Sequence, residues 1–420
     1  MMLAAWVGSV ASAVTANFCV NWEELNYTDR TVGTGTEFES LTAPARRAKI
    51  RFKSGGTTID DRLDDAGCLT RSLDGAVPWD VVLFLDVMVE TNTLRFVANG
   101  PNRVTRHIDL KSALTVANGA TYDNTVWDPV NTNGVKILAA AQHAVRNWDL
   151  NVQNKVLEMD SFPGDADACR GNPLDSCFQE ATPYANGQFT DTPLHFSDDP
   201  SVDAHRQKFT IAHEIGHALW WFANNSASVV PIDYTATAGP STCGPQLGHF
   251  ANSREYASAA VLEGWADFYA ASVFNDNAGA TCEFDNGGPL DWNRDLTVET
   301  FTRYSCDGAI VDPMTLAVLT NATDYHGQFC GGTNYQAVQL DWLRLLWNLR
   351  TDHAWPRPTF RDLWDNTDPQ GWMGTEPASG ASASTMPYNR ITAKVPSARL
   401  STWTTQAAAH GVARSPTPAP

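Results

Sequence analysis

Apolar and polar residues alternate in short runs over the first quarter of the chain. Residues 48–53 read Ala-Lys-Ile-Arg-Phe-Lys, apolar at every second position, which is the period of a strand with one buried face. Residues 81–97 carry Val, Leu, Phe and Thr in short runs, with Asn99-Gly100 after them as a turn signal. The stretch from 17 to about 125 is therefore expected to be strand-rich. It fits an accessory β-domain, a pro-segment or the first layer of the domain that follows. From about Asn133 the period changes, and Val135, Leu138, Ala139, Gln142, Val145 and Trp148 recur at helical spacing. A strand is expected over 155–159 and a short extended segment over 193–196. The next helix is expected over about 201–222, where Ile211, Ile215, Leu219 and Phe222 form one apolar stripe. Asp199 or Ser201 can cap it, with Pro200 in the tolerated first turn. Gly216 costs about 1 kcal/mol there relative to alanine, which marks a close approach by a neighbouring element. Two further helices are expected, over about 253–275 and 335–350. The second is amphipathic, with Val338, Trp342, Leu345, Leu346 and Leu349 on one side.

Composition narrows the partners. The chain has 420 residues and a formal net charge of −18, and it shows no basic patch, which disfavours nucleic acid and anionic membranes. No apolar run is long enough to span a bilayer. The eight cysteines form no C-x-x-C pair and fall mostly in Gly/Asp/Asn-rich segments. That pattern favours disulfides in an oxidising compartment, with Cys169–Cys177 and Cys19–Cys68 as the pairings to expect. Residues 1–16 are apolar and small, and Ala11-Ser12-Ala13 resembles a signal-peptidase site although a positive n-region is missing. The expectation is an exported protein; an N-terminal strand is the alternative. The divisions expected are a leader remnant over 1–16, the strand-rich region over 17–125, the main domain over 126–395 and a tail over 396–420, with SPTPAP from Ser415 disordered.

The chemistry centres on His213-Glu214-Ile215-Gly216-His217, an H-E-x-x-H pattern inside a predicted helix. Residues four apart project from one face, so both imidazoles can bind one ion from the same side, and Glu214 can reach a water held there. Catalytic zinc usually takes three protein ligands and keeps one position open. The helix expected over 253–275 contains Glu263-Gly264-Trp265-Ala266-Asp267. Glu263 and Asp267 share a face among Val261, Leu262, Trp265, Phe268 and Tyr269, where carboxylates are costly to bury without a positive partner. Glu263 is then the third ligand, and Asp267 the acceptor that orients a ligand imidazole, His213 first. His249 lies in the long loop between these helices and could enter the site as a ligand, although an ordinary loop histidine is the favoured reading. Asp276, Asp285 and Asp291 offer oxygen ligands for calcium, but EF-hand spacing is absent.

H-E-x-x-H followed on a later helix by E-x-x-x-D resembles the gluzincin metallopeptidases, the thermolysin-like clan, over roughly residues 199–275. His213 to Leu219 also resembles the metzincins. Trp220 and Ala223, however, stand where that extended motif needs a glycine and a third histidine. No G-x-M-E-N segment of the aminopeptidase type is present. The resemblance implies an α+β fold with a zincin-like catalytic domain, in which a small sheet and the active-site helix precede a mainly helical lobe. It implies one catalytic Zn2+ and a peptide or protein substrate. In such a lobe an edge strand beside the active-site helix receives the substrate backbone, and 192–197, with Leu194, His195 and Phe196, is the candidate. It further implies a downstream hydrogen-bond donor to the tetrahedral intermediate, with His326 fitting and Tyr325 as substitute. The function expected is an exported endopeptidase in which zinc lowers the pKa of a bound water toward about 7 and Glu214 takes its proton. The alternatives are an exported binding or adhesin-like protein with a structural metal, and a metal-dependent hydrolase of a non-peptide bond.

Overall fold

The computed structural model describes residues 12–25, 40–89, 94–100, 104–127, 134–146, 155–160, 177–178, 191–195, 204–223, 254–274, 283–284, 303–305, 310–311, 318–320, 336–364 and 386–412. Among them the chain is a mixed α+β protein with nineteen strands and seven helices.

Ten strands come first: β1 (Ala13–Leu25), β2 (Ser40–Pro44), β3 (Ala48–Ser54), β4 (Thr57–Arg62), β5 (Cys68–Asp74), β6 (Pro78–Val89), β7 (Leu94–Gly100), β8 (Val104–Thr105), β9 (His107–Thr115) and β10 (Thr121–Val126). The alternation seen in 48–53 is the burial pattern of β3: Ala48, Ile50 and Phe52 are buried while Lys49, Arg51 and Lys53 are not. The long strand β1 buries Ala16, Phe18, Val20 and Trp22 on one face. Phe18 meets Phe52 edge-on at 4.8 Å between ring centroids, so the sheet of β1, β2, β5 and β10 packs on the sheet that contains β3. Ala13–Ala16, read from sequence as the end of an apolar leader, are rungs of β1 paired with residues 71–74 of β5. A disulfide joins Cys19 to Cys68, which stand directly opposite each other in that pairing. Asn99-Gly100 is the end of β7, paired to Val104 and Thr105, so the turn signal belongs to the hairpin that follows rather than to a turn at those residues.

The strand-rich region is the first layer of the main body. After β10 comes α1 (Gly134–Arg146), and then β11 (Lys155–Asp160), which pairs parallel with β7 on one side and with β13 (Asp191–His195) on the other. These strands share one nine-stranded sheet with β3, β4, β6, β8, β9 and the short β12 (Cys177–Phe178). Parallel neighbours need a long connection, and the one from β7 to β11 runs through β8, β9 and β10 and ends in α1. It is buried on nearly every side, with Val135, Leu138, Ala139, Gln142 and Val145 all covered, because it lies between the strands β1, β6 and β7 and the helix α2 (Ala204–Ala223). Lys136 Nζ, 3.3 Å from the buried Glu23 carboxylate, ties it to β1.

α2 packs beside β12 and β13 and against α3 (Ala257–Phe274). A two-stranded ribbon then organises the helical half. β14 (Arg254–Tyr256) runs straight into α3, and its antiparallel partner β19 (Gln336–Val338) runs straight into α4 (Gln339–Thr351). Sequence periodicity places helices over 253–275 and 335–350; residues 254–256 and 336–338 are instead this ribbon. Between them β15 (Glu283–Phe284), β16 (Arg303–Ser305), β17 (Ile310–Val311) and β18 (Val318–Thr320) form a small antiparallel sheet.

α4 is not an amphipathic surface helix. Besides the expected stripe, Leu340, Asp341, Leu343, Arg344 and Trp347 are buried, so it is a central strut. Three helices complete the described chain: α5 (Arg357–Trp364), α6 (Met386–Thr392) and α7 (Ser397–Ala409). The region from 396, expected as a tail, holds α7 with Trp403 and Ala407 fully buried one turn apart. Trp403 is packed against Trp355 and Tyr388, and its indole Nε1 donates to Thr392 Oγ1 at 2.7 Å.

Candidate metal centre

α2 and α3 bring four of the residues singled out in the sequence to one point. His213 Nε2 lies 3.1 Å from Glu263 Oε2, His217 Nε2 lies 3.2 Å from the same oxygen, and the two imidazole Nε2 atoms are 3.0 Å apart. The H-E-x-x-H register explains the first half of this. One α-helical turn stacks the two rings, which meet edge-on at 4.6 Å between centroids. Glu263 arrives from α3, and all three side chains are buried.

α2 and α3 approach closely because small residues face each other. A Cβ on Gly216 would stand 3.0 Å from Ala266 Cα and 3.4 Å from Tyr269 Cβ. Gly216 is thus where α3 crosses the motif, and Trp265 Nε1 fastens the crossing by donating to the Gly216 carbonyl at 3.3 Å. One residue from Glu263, Gly264 is packed just as tightly on its other side, under α4.

Asp267, one turn beyond Glu263, is wholly buried and accepts from His213 Nδ1 at 2.8 Å through Oδ1. Its other oxygen accepts from the side-chain amide of Gln339, the first residue of α4. Burial disfavours a charged His213, yet the carboxylates of Asp267 and Glu263 more than reverse this and hold it well above its ordinary 6.5. Two buried carboxylates thus face two imidazoles and favour positive charge between them. Glu214 directly follows His213 and is also buried.

The donor set fits a zinc ion. Two neutral imidazole nitrogens and one carboxylate oxygen are a ligand set of catalytic zinc, and in a tetrahedral site with bonds of about 2.05 Å such atoms stand about 3.3 Å apart. The observed separations of 3.0 to 3.2 Å are within a few tenths of that edge. His213 carries an outer acceptor on its free ring nitrogen, as metal-bound histidines almost always do. His217 does not: its Nδ1 is buried without a hydrogen-bond partner among the described residues.

Other expected site residues are placed differently. β13, containing Leu194 and His195, is not the edge of its sheet; β12 covers it there, with Cys177 opposite His195 and Phe178 opposite Leu194. Among the described residues the outermost strand is β12. Two residues of β12 are too short a run to carry an alternation signal, so the sequence does not reveal it. Phe196, His326, Tyr325, His249, Asp276, Asp285, Asp291, the capping residues Asp199 and Ser201, Pro200, Trp148, Cys169 and the segment from Ser415 lie outside the described residues. The sequence reading did not single out Gln339 or Gly264 for the site. Gln339 is a polar residue at a helix start, and nothing local to it points 72 positions back to Asp267.

No family model, curated protein or solved structure matches this chain.

Proposed function

We propose that the chain is a zinc-dependent peptidase, an exported endopeptidase with a zincin-like arrangement of its catalytic layers. The observation that carries this reading is the convergence of His213, His217 and Glu263 from two helices, with Asp267 on the far nitrogen of His213. The order α1, β11, β12, β13, α2 also supports it, since a helix and then strands lead into the H-E-x-x-H helix. Export is supported by the Cys19–Cys68 disulfide, because such bonds persist in oxidising compartments.

His213, His217 and Glu263 would hold the ion. Zinc, when bound in such a site, acidifies water and polarises a carbonyl oxygen. The chain supplies the rest. Asp267 fixes the tautomer and plane of His213 by accepting from Nδ1. Glu214 takes the proton of the attacking water and delivers it to the leaving amine as the C–N bond breaks. By the gluzincin resemblance alone, the donor to the developing oxyanion would be His326, with Tyr325 as substitute. The substrate backbone adds to the outer edge of the nine-stranded sheet at β12, rather than at Leu194, His195 and Phe196, because β13 is already paired there.

The test is a peptide-library digest with zinc-loaded protein, with and without chelator, alongside Glu214→Gln. Chelator-sensitive cleavage is expected. Glu214→Gln should retain zinc and lose at least about 100-fold in turnover. Zinc binding without cleavage of any peptide would leave a metal-stapled binding protein instead.

A further inference from the structure

We propose that Gln339 is a positioning residue of the metal centre, holding Asp267 from a third helix so that the opposite carboxylate oxygen stays on His213. The inference rests on the metal-centre reading above but not on peptide hydrolysis.

Asp267 has no exposed surface, so both its oxygens need donors from the protein. Oδ1 takes His213 Nδ1 and Oδ2 takes Gln339 Nε2. The terminal torsion of an aspartate is broad and roughly two-fold, so one hydrogen bond leaves the carboxylate plane free to turn. A second bond on the other oxygen fixes that plane, and with it the ring of His213. The donor is also neutral. An arginine or lysine there would cancel the charge of Asp267, whereas an amide fixes its geometry and leaves the whole negative charge directed through His213 toward the ion.

The orientation of the Gln339 amide follows from its surroundings. Gln339 is wholly buried, and its Oε1 has no hydrogen-bond partner among the described residues. Turning the amide over would set Oε1 against Asp267 Oδ2, two acceptors face to face, so Nε2 must point at the carboxylate. A buried carbonyl without a partner is a cost that an apolar side chain would avoid, which argues against packing as the reason for a glutamine here.

The backbone places the amide as firmly. Gln339 follows β19, and β19 pairs with the β14 strand that opens α3. Its carbonyl oxygen lies 2.7 Å from where a Cβ on Gly264 would be, between Glu263 and Asp267 in sequence. Gln339 therefore touches α3 twice, through its main chain beside the third ligand and through its side chain at the outer carboxylate.

Zinc affinity of the full chain, measured by chelator competition, tests this together with thermal unfolding of the same samples. Gln339→Met keeps the volume and removes the donor. It should weaken zinc binding roughly three- to tenfold, less than the loss typical when a direct partner of a ligand is removed. In an Asp267→Ala background the same change should alter affinity by less than about twofold, because its route to the metal is gone. Unchanged affinity in Gln339→Met, or an equal loss in both backgrounds, would overturn the proposal. Should that variant fail to fold, NMR of the zinc-loaded wild type decides: the Gln339 side-chain amide protons should exchange slowly, and free exchange overturns the proposal. A wild type that binds no zinc overturns this and the metal centre together; one that binds zinc but cuts no peptide overturns only the peptidase reading.

Discussion

Gly264 and Trp342 are pressed together where α3 crosses α4, with no room for a side chain between them. A Cβ on Gly264 would clash with the Cβ of Trp342 and stand 2.7 Å from the Gln339 backbone oxygen. Neither neighbour is the free end of a flexible side chain. Gly264→Ala would gain about 1 kcal/mol of helix propensity. Overpacking a tight core costs typically about 1–3 kcal/mol, and here the obstruction includes main chain, so the loss prevails. Net destabilisation is expected in chemical denaturation, with weaker zinc binding in the same protein, because the displaced segment lies between Glu263 and Asp267. Unchanged stability and affinity would mean that α3 and α4 can part without cost.

In the proposed function, Glu263 is the residue whose loss should separate metal binding from catalysis. Its carboxylate is 3.1 and 3.2 Å from the two histidine Nε2 atoms and belongs to no other helix of the site. Glu263→Ala should lower zinc affinity by more than about 100-fold, beyond the range typical of outer partners. Metal analysis after dialysis should show the variant stripped while Glu214→Gln stays loaded. Full occupancy in Glu263→Ala would place the third ligand elsewhere.

The site was legible wherever its geometry is local. His213 and His217 share a helix turn, Glu263 and Asp267 share another, and a stripe or an alternation marks most of the elements that carry them. The pairings between distant segments were not. That β7 lies beside β11, or that Gln339 reaches Asp267, depends on chain crossings that no window of sequence contains. α4 misled for a physical reason. Asp341 and Arg344 are buried polar residues, and in sequence they imitate the wet face of an amphipathic helix. The segment after 396 misled because only Trp403 and Ala407 of α7 are buried, too sparse a stripe to stand out from a polar tail.

The Cys19–Cys68 disulfide closes a loop with a sequence separation of 49 and sits at the last rung of the β1–β5 pairing, which runs from Ala13 and Asp74 up to the bond itself. Loops of that size give stabilisation of about 2–4 kcal/mol, chiefly by restricting the unfolded chain. The double variant Cys19→Ser with Cys68→Ser should lose roughly that amount in urea unfolding. Wild type treated with reductant should fall to the level of the variant, and the variant should not respond at this bond. Equal stability of oxidised wild type and variant would show that the strand pairing alone secures the N-terminal sheet.

Acid should weaken the fold through Asp86. This carboxylate is buried on β6 and accepts from Arg95 Nε at 2.9 Å, Arg95 Nη2 at 2.7 Å and Arg62 Nη2 at 2.9 Å. Burial by itself would raise its pKa, but Arg95 and Arg62 outweigh that and hold it below the ordinary 3.8. The unfolded chain therefore binds a proton at Asp86 before the folded chain does. Stability from this group is fully present above the unfolded value near 4 and is lost as pH falls through the depressed folded value. Asp60 and Asp65 are held low in the same way, Asp65 at about 2, so wild type alone reports a sum of all three. Asp86→Asn isolates one contribution. At pH 7 the variant should be less stable by about 1–3 kcal/mol, the cost of removing the charged acceptor from its donors. The gap between the two proteins should then narrow steadily below about pH 4. A gap that stays constant down to pH 2 would mean that the arginines stabilise an uncharged side chain at this position equally well.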